Sequence, residues 1–194
     1  NNLICDLVDM LSKKRADDYH SWIRVGFCLH NIEKKEFSNG FVYLWEEFSK
    51  KSSKYTSGVC DKEWNKMKLV RNELGVGSLY WWAKQDNPRQ YSSLMLSRTD
   101  PFLKDSVNSF VNGNCYDVAV VIRERYPYQH VCVNLEKQAW FSFVGGKWTL
   151  SQKGFYLRKL LSTDIFSEYC RLSAYLNSQA INDDSFLKKA KMSN

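Results

Sequence analysis

Five of the seven tryptophans in this chain fall between Asp17 and Ala83, at Trp22, Trp45, Trp64, Trp81 and Trp82. No other feature constrains the fold as strongly. An indole is large and its N–H needs a partner, so tryptophans clustered this way belong to one shared core rather than to scattered surface sites. The apolar residues around them recur at helical spacing, which predicts a set of short helices closing over those rings.

Taken in order, Leu3, Leu7, Met10 and Leu11 share one face of a predicted helix over residues 3–14, with Asp6, Asp9 and Lys13 opposite. Lys13-Lys14-Arg15 is expected to close that helix, where cations suit the C-terminal dipole. Asp17 or Asp18 then caps a second helix running through Trp22, Ile23, Val25, Phe27, Leu29 and Ile32. Gly26 inside it costs helix stability, which predicts a close helix crossing at that point. Ser38-Asn39-Gly40 breaks the chain. Phe41, Leu44, Trp45 and Phe48 mark a third helix, with Glu46 and Glu47 facing out, and Ser49–Ser57 reads as a polar loop with three lysines. A fourth helix, about 61–67, buries Trp64 with Val59 or Cys60 at its start. Ser78 caps a last one holding Leu79, Tyr80, Trp82 and Ala83.

Past this unit the pattern changes. Residues 88–112, with Pro88, Pro101 and four serines, read as a connector. DVAVVIRERY, from Asp117, is β-branched, but its Arg123-Glu124-Arg125 end favours helix. HVCVNL, QAWFSFV and KWTL then read as three strands. The Gly145-Gly146 pair between the last two is a hairpin signal. Gly154 precedes a long helix interrupted near Ser162-Thr163-Asp164. The expected fold is mainly α with a small antiparallel sheet: an N-terminal helical bundle over 1–87, a connector over 88–112, an α+β unit over 113–181 and a polar tail over 182–194.

Composition bounds the partners. The net charge is +7; residues 1–87 carry 14 basic and 12 acidic side chains, the remainder 14 and 9. A basic surplus leans toward nucleic acid. Six scattered cysteines form no C-x-x-C pair, and the three histidines complete no zinc pattern, which points to buried thiols in a reducing, intracellular compartment. No run of about 18 apolar residues exists, so no membrane span or membrane partner is expected. There is no signal-peptide pattern, and the chain does not begin with Met, which reads as a piece of something longer.

The ordered positions Asp17-Asp18-Tyr19, Trp22, Val25-Gly26, then Gly40-Phe41, Trp45 and Ser49, then Cys60 and Trp64, then Gly77-Ser78-Leu79 and Ala83 resemble the primase C-terminal module of the second type. That module is a small helical domain, without known catalytic residues, that follows the catalytic domain in archaeo-eukaryotic-type primases of viruses, phages and plasmids. The resemblance covers roughly residues 3–85. In the second unit Tyr126, Trp140, Gly146-Lys147-Trp148 and Leu157-Arg158 resemble the segment just upstream of the superfamily 3 motor in poxvirus-type helicase–primases of large DNA viruses, phages and plasmids. The two resemblances imply a linker or collar region that carries no catalytic residue. Its partners would be DNA and its own upstream primase and downstream helicase domains. They imply a parent chain that is an ATP-dependent DNA helicase with primase activity, a homo-hexamer using ATP and Mg, at work in a cytoplasmic viral factory or the nucleus.

The residues themselves support no chemistry. A phosphate loop needs G-x-x-x-x-G-K-[ST], whereas Gly145-Gly146-Lys147 is followed by Trp148 inside a hairpin pattern. Asp6 and Asp9 lie on a helix and Asp183-Asp184 in the polar tail, not on strands where polymerising aspartates belong. His20, His30 and His130 lack a nucleophile and acid in triad order. Neither a cofactor nor a metal site is expected in this stretch. What remains is DNA binding through cations and aromatic faces. The candidates are Lys62, Lys66 and Lys68 in the first unit and Arg123, Arg125, Lys147, Arg158 and Lys159 in the second, with Tyr126, Tyr128 and Phe141 as stacking rings. Two other readings stand beside this one: a free-standing nucleic-acid-binding protein, which natural ends at Asn1 and Asn194 would favour, and a protein-interaction module without DNA contact.

Overall fold

The computed structural model describes residues 2–36, 40–68, 74–108 and 115–192. The chain divides into two compact units, Asn1–Ser97 and Arg98–Asn194. It is mainly helical, with one small antiparallel sheet in the second unit.

The first unit begins with α1 (Asn2–Asp9), α2 (Lys13–Asp17) and α3 (Tyr19–Glu36), followed by α4 (Phe41–Ser49), α5 (Val59–Trp64) and α6 (Val76–Asp86). Its core takes Leu7, Val8 and Leu11 from the start of the chain and Val25, Cys28, Leu29 and Ile32 from α3. Trp45 and Phe48 of α4 and Leu79, Trp82 and Ala83 of α6 complete it. Three indoles form its centre. Trp22 and Trp45 stack with ring centroids 4.6 Å apart, and Trp64 lies 6.1 Å beyond Trp45. The N–H groups of Trp22 and Trp45 are met inside the unit. Trp45 Nε1 donates to the Trp22 carbonyl at 3.2 Å and Trp22 Nε1 to Ser49 Oγ at 2.7 Å, while Ser49 Oγ donates to the Trp45 carbonyl at 2.6 Å. The α3–α4 crossing falls at Gly26, as its glycine required.

The predicted helix over 3–14 is two helices. Ser12 caps α2, its Oγ accepting from the Arg15 amide at 3.3 Å, so Lys13-Lys14-Arg15 lies within α2 and does not close α1. The carbonyls at the end of α1 are taken by Lys51, whose Nζ donates to Asp9 O at 2.8 Å and Leu11 O at 2.9 Å. The cation that complements this C-terminus thus comes from forty residues away. Arg15 turns to Asp86 instead, with Nε and Nη2 both 2.8 Å from the carboxylate oxygens.

Asp18 caps α3, with Oδ2 accepting from the Ser21 amide at 2.8 Å. The break at Ser38-Asn39 lies outside the described residues, and Gly40 beside it has φ +96°. Gly40 has no side chain to cap α4, and buried Glu33 does so, accepting from the Phe41 amide at 2.8 Å. Ser78 is not the cap of α6; Gly75 precedes that helix, and Ser78 stands in its first turn.

Residues 88–108, expected as a connector, are one helix, α7 (Pro88–Asn108). Asn87 caps it, Oδ1 accepting from the Gln90 amide at 3.2 Å, and Pro88 occupies the first turn, where a missing N–H costs nothing. Tyr91 and Met95 enter the first core and Leu103 the second. Pro101 sits inside this helix and offers no N–H to the carbonyl of Ser97, the residue at the unit boundary.

The second unit continues with α8 (Cys115–Arg125), β1 (His130–Asn134), β2 (Ala139–Val144), β3 (Lys147–Gln152), α9 (Phe155–Leu160), a π-helical turn (Leu161–Ile165) and α10 (Phe166–Met192). The interruption read near Ser162-Thr163-Asp164 is that π turn, and the polar tail from 182 is helical backbone as far as Met192. Leu103, Val121, Ile165 and Leu172 centre a small core. The sheet order is β1-β2-β3, antiparallel throughout. Gly145 and Gly146, at φ +60° and +82°, make the hairpin turn between β2 and β3. Two consecutive left-handed residues are what a right-twisted two-residue hairpin demands.

Candidate nucleic-acid interface

The sheet of the second unit has two unlike faces. Residues paired across antiparallel strands share a face, and the register aligns His130, Ser142 and Thr149, then Cys132, Trp140 and Ser151. On this side Ser142 and Ser151 are buried, and Gly154, at the start of α9, lies against Trp140. His130 Nδ1 is 3.0 Å from Ser142 Oγ. Burial holds the His130 imidazole below its ordinary pKa, favouring the neutral ring. The opposite side carries Val131, Phe141 and Leu150 in one row and Phe143 with Trp148 in the next. Here Val131, Trp148 and Leu150 are exposed. Phe143 and Trp148 meet edge to face, centroids 5.4 Å apart. Of this face only Phe141 was named from sequence as a stacking ring; the alternation in QAWFSFV and KWTL was the signal for the rest.

The predicted cations separate into free and engaged ones. Lys147 opens β3, while Arg158 and Lys159 end α9, and all three are exposed with no carboxylate partner among the described residues. Lys153, not singled out before, is exposed between β3 and α9. Arg123 is exposed but pairs with Glu124 at 2.8 Å. Arg125 is engaged as well. Its side chain is 13% exposed and faces Glu168 at 3.6 Å, with Arg171 on the same carboxylate, so its charge is used inside the unit. The Tyr126 ring packs, partly buried, against the second core, and its hydroxyl donates to Asp164 at 2.9 Å. Burial and that carboxylate push the Tyr126 phenol up to about 12. Tyr128 is exposed, at φ +59°.

In the first unit Lys62 and Lys68 are exposed, and Lys66 pairs with Glu63 at 2.7 Å. A cavity of about 280 Å³ adjoins the tryptophan stack, lined by Tyr19, Trp22, Ser52, Lys54, Tyr55 and Cys60 among others. Its polar groups are turned on one another. Ser52 Oγ donates to Asp17 at 2.5 Å, Lys54 Nζ to the Asp17 carbonyl at 3.0 Å, and Tyr55 to Glu46 at 2.5 Å.

Among the groups suited to covalent or acid–base work, Cys28, Cys60 and His30 are buried. Burial pushes the Cys28 thiol up to about 12, and its Sγ donates to the Gly75 carbonyl at 3.1 Å. Cys60 is raised for the same reason. His30 is buried edge-on to Trp64, and that burial lowers its pKa. Among the described residues no group of three or more His, Cys, Asp or Glu is placed to hold a metal ion. The carboxylates of Asp183 and Asp184 lie outside the described residues.

Residues 4–83 match the family described as Primase C terminal 2 (PriCT-2). Three relatives from large DNA viruses bear the name "Putative helicase". The protein of Acanthamoeba polyphaga mimivirus is 27% identical over 187 residues, covering 96% of this chain and 18% of its own length. That of Frog virus 3 is 32% identical over 161 residues, 83% of this chain and 16% of the relative. That of Invertebrate iridescent virus 6 is 29% identical over 198 residues, 92% of this chain and 20% of the relative. The chain therefore spans a fifth or less of the length of these relatives.

Proposed function

Because its first unit carries a primase C-terminal module, we propose that this chain is the non-catalytic linker and collar region of a viral DNA helicase–primase acting in DNA replication. The parent chain would be an ATP-dependent superfamily 3 helicase with primase activity. It would act as a homo-hexamer in a cytoplasmic viral factory or the nucleus, with its ATP and Mg sites elsewhere in the chain. The observation that carries this reading is an order. A primase-type helical module precedes an α+β unit, and both align with helicase-named viral relatives across most of this chain. The two units would position a priming domain against a motor. The exposed Lys147, Arg158 and Lys159 of the second unit, and Lys62 and Lys68 of the first, would hold DNA phosphates.

Binding of the chain to labelled fork DNA, followed by fluorescence anisotropy at ~50 and ~200 mM salt, tests the contact. Each neutralised phosphate releases counterions, so several contacts should cost orders of magnitude in affinity across that range. The expected result is micromolar binding that collapses with salt and falls when Arg158 and Lys159 become Ala. No binding at low salt would overturn the DNA contact and leave a spacer and assembly module.

A further inference from the structure

We infer that the cavity beside the tryptophan stack of the first unit is a receptor for a lysine side chain presented by a protein partner. The site is separate from the DNA contact proposed above and does not rest on it. Its wall joins three segments. The start of α3 brings Tyr19 and Trp22, the loop between α4 and α5 brings Tyr55, and the first turn of α5 brings Val59 and Cys60. Tyr19, Thr56 and Val59 are exposed and mark where the cavity opens to solvent.

The inner surface suits an apolar stem. Polar atoms here are committed to the protein itself. Ser49 Oγ donates to the Trp45 carbonyl and accepts from Trp22 Nε1, Ser52 Oγ donates to Asp17, and the Tyr55 hydroxyl donates to Glu46. What remains toward the cavity is chiefly the rings of Tyr19, Trp22 and Tyr55. Trp22 stacks one face on Trp45, and Tyr19 meets it at a 39° tilt rather than flat. The volume of about 280 Å³ lies just below the ~300–1,000 Å³ of sites for drug-sized ligands and suits a single side chain.

Charge selects what that stem carries. Asp17 lines the cavity, Asp18 follows it at the start of α3, and Glu46 holds the Tyr55 hydroxyl. Against these carboxylates stands Lys54, whose Nζ is directed at the Asp17 carbonyl, 3.0 Å away. Lys50 is paired with Glu47 at 2.6 Å, and Lys51 is turned to the end of α1. Aromatic faces also attract cations, through the negative charge above the ring. Lysine joins the two properties the site asks for, a four-carbon stem and a compact ammonium at its end. A phosphate-bearing guest would meet the carboxylates instead, and an uncharged side chain would leave them unused.

The test is titration of the whole chain with Nα-acetyl-lysine methylamide, followed through the Trp22 indole N–H in proton–nitrogen correlation spectra. The neutral norleucine analogue and thymidine monophosphate serve as comparisons. The lysine probe should shift the Trp22 signal saturably, with a Kd on the order of 1 mM for one side chain. The norleucine analogue should bind about threefold more weakly or less well still, the worth of one exposed cation–π contact. Asp18→Asn keeps the cap of α3, since asparagine caps as well as aspartate, yet removes a charge at the mouth and should weaken the lysine probe. Tyr19→Leu, at an exposed ring, should weaken it too. Lys54→Gln removes the competing cation and should tighten it. Equal affinity for lysine and norleucine, or a Lys54→Gln chain that binds lysine no better, would mean that charge does not select the guest, and the inference falls. Thymidine monophosphate bound in place of lysine would make the cavity a nucleotide site and overturn it as well. So would a Trp22 signal that stays still at about 10 mM lysine probe, ten times that Kd.

Discussion

A β-carbon added to Gly26 would stand 2.5 Å from Cζ2 of Trp45 and 2.6 Å from its Cε2. The indole lies flat against the α3 backbone, and only hydrogen fits between them. Gly26→Ala should therefore destabilise the first unit by about 1–3 kcal/mol, the usual cost of overpacking, although alanine by itself would favour the helix by about 1 kcal/mol. Urea titration read by tryptophan fluorescence measures the cost. Combined with Trp45→Phe, which frees that space, the alanine should lose most of its penalty.

The Arg15–Asp86 pair makes the first unit acid-sensitive. Burial raises the Asp86 carboxyl, but the Arg15 guanidinium and the Ser12 amide outweigh it and hold its pKa below the ordinary value. A carboxylate with a depressed folded pKa binds protons more readily when unfolded. Its contribution is complete above about pH 4 and is lost as pH falls through the folded pKa. Melts of the unsubstituted chain and Asp86→Asn should differ at pH 7 and draw together as pH falls below the ordinary carboxylate range. A difference that stays constant as pH falls would contradict this.

Arg125 and Arg158 should separate stability from binding. Removing Arg125 strips Glu168 of one of its two cations at a largely buried site, a loss of about 1–3 kcal/mol. It should appear as faster hydrogen exchange in α8 and α10 with an unchanged salt slope for DNA. Arg158→Ala should do the reverse, reducing the slope by about one contact and leaving exchange rates alone.

Pro101 leaves the Ser97 carbonyl without its helix bond. Pro101→Ala restores the donor, and the amides from about 98 to 102 should then exchange more slowly. An unchanged exchange profile would mean that other bonds already satisfy this turn.

Periodicity and punctuation made much of this fold legible from sequence. The tryptophan cluster implied one helical core, Gly26 a close crossing, Asp17 or Asp18 a cap, and Gly145-Gly146 a tight hairpin. Each of these is a local constraint, carried by the shape or donor pattern of one or two residues. The primase-type module was legible for the same reason, because many of its ordered residues, among them Val25, Trp45, Leu79 and Ala83, are buried in the core. Tertiary structure decided where charges and terminal carbonyls find partners, since those pairings join residues far apart in sequence. Lys51 reaches the end of α1, Glu33 caps α4, Arg15 meets Asp86 and Glu168 engages Arg125. Sequence alone showed a lysine in a loop and an arginine in a basic run; the fold separates the cations it uses from those left free. It also decided the open sheet face, because strand alternation divides residues between two sides but only packing determines which side is covered.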